Sequence, residues 1–177
     1  MNPKVLAVVI ALLAILASGA YLFYAPAHVT LSITDPPPQP YDNSITAIQV
    51  TFSRIDIHAA GAGNDSGWHT IMSGGTVNLL NVLNISQIIG SSTIPAGKYG
   101  EIRFFINQTI ITINGENIPY MVPSANQTGF KVAITGGGFQ VMGGLSATVQ
   151  LDLSFKNSEI LNNPQHTLTP VATATVK

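Results

Sequence analysis

From Val5 to Tyr24 the chain is one apolar run without a charge, mostly Val, Ala, Leu and Ile. A helix rising 1.5 Å per residue would make this run about 30 Å long, the thickness of a bilayer core. Beyond it the pattern changes to period two. Val29–Thr34 predicts a short strand. Asp35-Pro36-Pro37-Pro38-Gln39-Pro40 can be neither helix nor central strand, because proline lacks an N–H and fixes φ, so it predicts a stiff, extended connector. In Ile45–Ala60, Ile48, Val50 and Phe52 share one parity while Ile55 and Ile57 share the other. A switch of parity around Ser53-Arg54 is the mark of a β-bulge, which lets a strand bend between two sheets.

The same reading continues to the C-terminal part. Gly61–Gly67 predicts a small-residue loop, with strands at Trp68–Met72 and Thr76–Leu80 and one short helical stretch at Asn81–Ile89. Ile94–Gly97 predicts a turn into Lys98–Ile113, where Ile102, Phe104 and Ile106 alternate with polar neighbours. Asn114-Gly115, between β-branched residues and Ile118-Pro119-Tyr120, is a strong hairpin signal. Gly129–Ile134 and Phe139–Met142 flank a Gly136-Gly137-Gly138 turn. Leu145–Phe155 is the clearest strand, with Leu145, Ala147, Val149, Leu151, Leu153 and Phe155 on one face, and His166–Val176 is a last Thr/Val-rich strand. About eight or nine short strands separated by turns predict an all-β fold. We expect an antiparallel β-sandwich of two sheets, immunoglobulin- or transthyretin-like, preceded by one N-terminal hydrophobic helix. Residues 1–27 form the leading segment and residues 28–177 the single domain.

The leading segment supports three readings. A cleaved signal peptide would use Val5 to Ala17 as its apolar region, with Leu16 near its end and cleavage after Ala20 or Ala27. An uncleaved transmembrane anchor would use all of Val5–Tyr24, with Tyr21, Phe23 and Tyr24 as an aromatic belt and Lys4 holding the N-terminus inside. A pilin-like leader would also place a basic residue before a long apolar helix, but no Gly or Ala follows Lys4. Cleavage after Ala20 would leave Tyr21-Leu22-Phe23-Tyr24 as a free terminus that water disfavours, which ranks the anchor first. All three readings predict an exported domain on the outer face of the cytoplasmic membrane, with the membrane itself as a partner.

Composition adds one unusual number. Charged residues are 8% of the 177, against about 25% in an ordinary soluble domain. Seven Lys/Arg against eight Asp/Glu leave a net charge of -1, which excludes the basic footprint of a nucleic-acid partner. Few charges also suit an acidic exterior, where protonating carboxylates leaves unbalanced positive charge. Four sequons, beginning at Asn64, Asn84, Asn107 and Asn126, are candidate N-glycosylation sites that would supply polar surface covalently; chance occurrence in an Asn- and Thr-rich chain is the alternative. No cysteine is present, so disulfides, thiol chemistry, Cys-zinc sites and a lipid-bearing Cys are excluded.

Several ordered motifs then resemble a known family. They are Leu31-Ser32-Ile33-Thr34-Asp35-Pro36, Val50-Thr51-Phe52-Ser53-Arg54-Ile55-Asp56-Ile57-His58, Gly67-Trp68, Thr76-Val77-Asn78-Leu79-Leu80, and Ile94-Pro95-Ala96-Gly97-Lys98-Tyr99-Gly100-Glu101-Ile102-Arg103. Together they are similar to the domain of unknown function DUF4382, a group of exported archaeal or bacterial domains, across residues 28–176. The resemblance implies an extracytoplasmic β-sandwich and no established reaction. Members are often lipoproteins, and this chain departs from them in lacking the lipid-bearing Cys.

Candidate chemistry is sparse. His28, His58, His69 and His166 show no ligand spacing; His58 and His69 flank the Gly-rich loop and could meet Asp56 across a hairpin, but strand-end histidines are the simpler account. Asp35 and Asp42 could supply oxygens to Ca²⁺, a cation that wants more carboxylates than this chain offers, so a turn role is expected. Glu101 and Asp152 could pair as acid and base, yet Glu101 shares a strand face with Arg103 and a surface ion pair is simpler. Serines lack a nucleophile-elbow context, and Gly136–Gly138 is followed by neither Lys nor a helix. Trp68 could be a sugar-stacking platform, but a lone Trp in a sandwich is expected in the core. No catalytic, metal or cofactor site is expected. The predicted role is a non-catalytic cell-surface structural or adhesion domain contacting surface proteins or glycans. The alternatives are a carbohydrate- or solute-binding module and a self-assembling, pilus-like filament subunit.

Overall fold

The computed structural model describes residues 2–35 and 40–177; residues 36–39 of the predicted connector lie outside the described residues. Helix α1 (Pro3–Tyr24) starts on Asn2, whose side chain accepts from the Lys4 N–H at 3.0 Å, with Pro3 in the first turn where its missing N–H costs nothing. Its Pro3–Leu22 stretch has none of its residues buried, and at mean hydropathy 2.6 it is long and apolar enough to cross a membrane.

Among the described residues eleven strands follow, rather than eight or nine. Strands β1 (Ala27–Thr34), β2 (Ile45–Ala59), β3 (Trp68–Met72) and β4 (Gly75–Asn78) come first. A single 3₁₀ turn occupies Leu79–Val82, where a helical stretch reaching Ile89 was expected. Asn78 shapes this turn by accepting from the Leu80 N–H, and the chain leaves it as strand β5 (Gln87–Ile94), which the polar Ser91-Ser92-Thr93 run disguised. Then come β6 (Gly97–Ile113), β7 (Glu116–Tyr120), the short helix α2 (Pro123–Gln127), β8 (Phe130–Ala133), β9 (Phe139–Val141), β10 (Ser146–Ser154), helix α3 (Asn157–Leu161) and β11 (Val171–Val176).

The strands form two sheets. The first has order β11-β10-β1-β5, and its β1–β10 pair is parallel, an exception to the expected antiparallel plan. β1 and β10 are far apart in sequence, so no hairpin constrains them to run antiparallel. The second sheet is built on β2 and β6, which pair antiparallel over nearly their whole lengths. β3 and β4 pair with the other side of β2, while β7, β8 and β9 take successive stretches of β6. Register shifts at Thr51/Phe52 and Phe52/Arg54 turn the odd and even sets of β2 to the same side, so Ile48, Val50, Phe52, Ile55 and Ile57 all reach one core at 1% exposure or less.

That core is continuous between the sheets and includes Leu31 and Ile33 of β1, Ile102 and Phe104 of β6, and Val149, Leu151 and Leu153 of β10. The sandwich is also closed along its sides. β5 runs against β3, close enough that a side chain at Gly90 would meet Ile71 O at 3.1 Å. On the opposite side Ile134 bridges to Ala174 of β11. Closure shields the edge strands that otherwise invite pairing with another chain.

Candidate functional site

The charge-poor chain gathers three of its seven cations on the outer face of the second sheet. Asp56 of β2 is buried and accepts from Arg103 Nη2 at 3.0 Å, Arg54 Nε at 3.0 Å and the Thr70 hydroxyl at 2.9 Å. Cross-strand register sets this up, since Asp56 faces Arg103 on β6 and Thr70 on β3. The Arg103 guanidinium lies 4.0 Å from the centre of the Trp68 ring and 5.0 Å from that of Phe105, Arg54 lies 4.4 Å from Phe105, and Lys131 of β8 is 5.4 Å from Trp68. Gly129, at φ +77°, passes so close to Arg103 that a Cβ would stand 2.6 Å from its side chain. Arg103 is thus held by an ion pair, two aromatic rings and the Gly129 backbone, and the arrangement works as a clasp across β3, β2, β6 and β8.

Trp68 belongs to this clasp, half-buried on the outer face, and not to the core as expected. Its Nε1 donates to Asn64 O at 2.8 Å, and its ring packs 4.5 Å from that of His58, tilted by 45°. His58 Nε2 sits 3.1 Å from Gly63 O and 2.9 Å from Ser66 O. Together His58 and Trp68 pin the Gly61–Gly67 loop. His69 does not join them. It pairs with Ile57, one residue out of phase, and packs edge-on against Tyr99 on the inner side.

A second feature follows from a gap in the sheet. β8 pairs with β6 through Phe104, and β7 pairs with it from Thr109. Among the described residues no strand covers 105–108 on that side. The parity of β6 also slips here, from buried Ile106 to buried Thr109 and Ile111. Helix α2, opened by Pro123, lies over the gap and leaves a groove of about 330 Å³. Exposed Asn107, Gln108, Asn126 and Gln127 line its rim, with Ile106, Val122 and Thr109 below. Thr109 is fully buried, and its hydroxyl has no hydrogen-bond partner among the described residues. Composition could not reveal this groove, because it depends on where β7 and β8 end.

The remaining candidates lie apart. Asn64 and Asn84 are exposed in loops, Asn84 at φ 58°, while Asn107 sits on β6 and Asn126 on α2. His28 contacts Thr93, and His166 packs 5.0 Å from the Tyr120 ring. Asp35 is buried beside Tyr41 whereas Asp42 is an exposed cap for Ser44. Glu101 and Asp152 belong to different sheets, and the ion-pair partner of Arg103 is Asp56 rather than Glu101. Among the described residues no three His, Cys, Asp or Glu side chains converge.

One contact concerns the leading segment. In the turn between β9 and β10, the Gly143 N–H donates to Leu22 O at 2.7 Å and the Gly144 N–H to Pro26 O at 2.9 Å. Leu22 O is among the carbonyls a helix end leaves without an internal partner. A Cβ at Gly143 would stand 2.4 Å from Tyr21 O, and one at Gly144, which has φ +74°, would stand 2.8 Å from the Tyr21 ring. Ala27, the first residue of β1, is fully buried.

A family model for a domain of unknown function, DUF4382, matches residues 26–170, and the chain belongs to that family. No curated protein and no solved structure matches it.

Proposed function

We propose that the chain is a membrane-tethered domain of the cell surface, exposed outside the cytoplasmic membrane, that acts by non-covalent contact in a structural or adhesive role. The observation that carries this reading is the fitted junction between α1 and the body. The helix carries no charge from Val5 to Tyr24, and the Leu22 carbonyl near its end accepts from the Gly143 N–H. The Pro26 carbonyl just beyond it accepts from the Gly144 N–H, and the chain continues directly into β1, a central strand. Cleavage after Ala20 would strip the helix that this turn caps, and cleavage after Ala27 would remove a core residue. Retention keeps both. The exposed apolar side chains of Tyr21, Tyr24, Met142 and Leu145 lie at this same junction, where the membrane interface would accept them.

Intact mass of the protein from its native host, together with fractionation of those cells, tests the reading. We expect an uncleaved N-terminus in a membrane fraction that alkaline carbonate does not strip, and release of the domain by protease added outside. A soluble product beginning at Tyr21 would overturn the tether, and turnover of a polysaccharide or ester substrate would overturn the non-catalytic role.

A binding module is the second reading, supported by the groove beside α2. Strand donation within a filament draws less support, because β1 already fills its own sheet between β10 and β5.

A further inference from the structure

We propose that the groove between β7 and β8 is a saccharide site, accepting a neutral mono- or disaccharide unit. The inference rests on the binding-module reading and is independent of the membrane tether. Its volume of about 330 Å³ lies at the small end of the range for ligand pockets. The rim is carboxamide: Asn107 and Gln108 from β6 face Asn126 and Gln127 from α2. Each amide offers donors and an acceptor, which matches sugar hydroxyls that must both give and take hydrogen bonds. No lining residue carries a formal charge among the described residues, so the site gives an acidic ligand no counter-ion. Ile106, Val122, Pro123 and the exposed Met121 supply apolar surface for a C–H face of the ring.

The floor makes the same point independently. A buried hydroxyl almost always has a partner. That of Thr109 has none, in a residue that is fully buried and lines the groove. A ligand hydroxyl entering between the amides would supply one.

Two sources could deliver this chemistry. One is a free saccharide or the end of another molecule's glycan. The other is the chain's own N-linked glycan, since Asn107 and Asn126, both sequon residues, line the groove.

The experiment has one arm for each. In the first, full-length protein from a host without N-glycosylation, held in a detergent with no sugar headgroup, is applied to an array of neutral and uronic-acid glycans. Hits are titrated with the free neutral disaccharide. We expect neutral glycans alone to bind, with at least a tenfold loss of affinity in Thr109→Val and Asn126→Ala. The thermal midpoint of Thr109→Val should hold or rise, because the hydroxyl it removes has no partner, so lost binding there is not lost folding. In the second arm, glycopeptide mapping of protein from the native host should find a glycan on Asn107 or Asn126, and enzymatic release should lower the thermal midpoint. Success in either arm supports the site and names its source. Failure in both overturns it. Binding that Thr109→Val leaves unchanged would keep the binding-module reading and overturn the groove.

Discussion

Asp35 is fully buried at the end of β1, where the Tyr41 hydroxyl donates to it at 2.9 Å while its other oxygen has no partner among the described residues. Loss of water pushes its pKa from 3.8 up to about 7, against a smaller lowering by the Tyr41 hydrogen bond. The folded carboxyl keeps its proton up to that pH, whereas the unfolded chain releases it near 3.8. Between those values the folded state binds more protons, so stability is full below 3.8 and declines as pH rises to about 7. Asp35→Asn should abolish this decline and be more stable than the parent at pH 8, as read by urea midpoints at pH 4, 6 and 8. A variant weaker than the parent at pH 8 would mean that the carboxylate has a cationic partner. Asp56 gives a different contrast. Arg103 is 18% exposed and Arg54 46%, though both reach the same buried oxygen. Arg103→Ala should cost about 3 kcal/mol, because it strips a buried carboxylate and the packing beneath Trp68. Arg54→Ala should cost under about 1 kcal/mol, as exposed pairs do. Equal losses in chemical denaturation would contradict the clasp.

Elements were legible where a local signal and the tertiary need coincided. Asn114-Gly115 takes φ 51° and 83°, the left-handed pair that this dipeptide announces, and the β2 bulge stands where the parity of Ile48–Ile57 changes. β5 was not legible, because Ser91, Ser92 and Thr93 give no apolar alternation, with Ser91 and Thr93 exposed and Ser92 half-buried opposite Val29, and only pairing with β1 makes them strand. The groove was invisible for a related reason: it is made by strand ends, not by residues of one type. Trp68 was misplaced because a lone aromatic carries no sign of which sheet face it occupies. Gly138 shows how much a turn can depend on contacts distant in sequence. It sits at φ +89°, and a Cβ there would stand 2.1 Å from Tyr99 O across the β6–β9 pair. Gly138→Ala should therefore cost on the order of 3 kcal/mol, whereas Gly136→Ala, with open space around it, should bear only the backbone strain of its φ +77°. Thermal melts of the two variants distinguish contact from conformation. Similar losses would mean that β9 moves aside.

On the scale of the whole molecule, the turn that holds α1 also fixes, under the proposed tether, which end of the sandwich would face the membrane. Val141 of β9 pairs with Gly97 at the start of β6, and the Gly143–Gly144 turn follows directly. β6 then runs 17 residues away to the Asn114-Gly115 tip, on the order of 50 Å if straight. The Gly61–Gly67 loop, the Ile94–Gly97 turn, exposed Lys98 and the Met142–Leu145 turn thus lie at the helix end, with α3 and the hairpin tip at the far end. A tether so placed predicts a gradient of solvent access along the domain, and a chain without native cysteine lets it be measured by single-site labelling. Leu145→Cys and Gly115→Cys, each carrying a nitroxide in reconstituted bilayers, should differ in opposite senses. The label at 145 should be relaxed more by oxygen, which concentrates in lipid, and the label at 115 more by a water-soluble nickel chelate. Leu145 is 48% exposed and Gly115 has open space around it, so neither label has to disturb the core. Equal response to the two relaxants at both positions would mean that the junction swings freely, and that Gly143 caps the helix without orienting the domain.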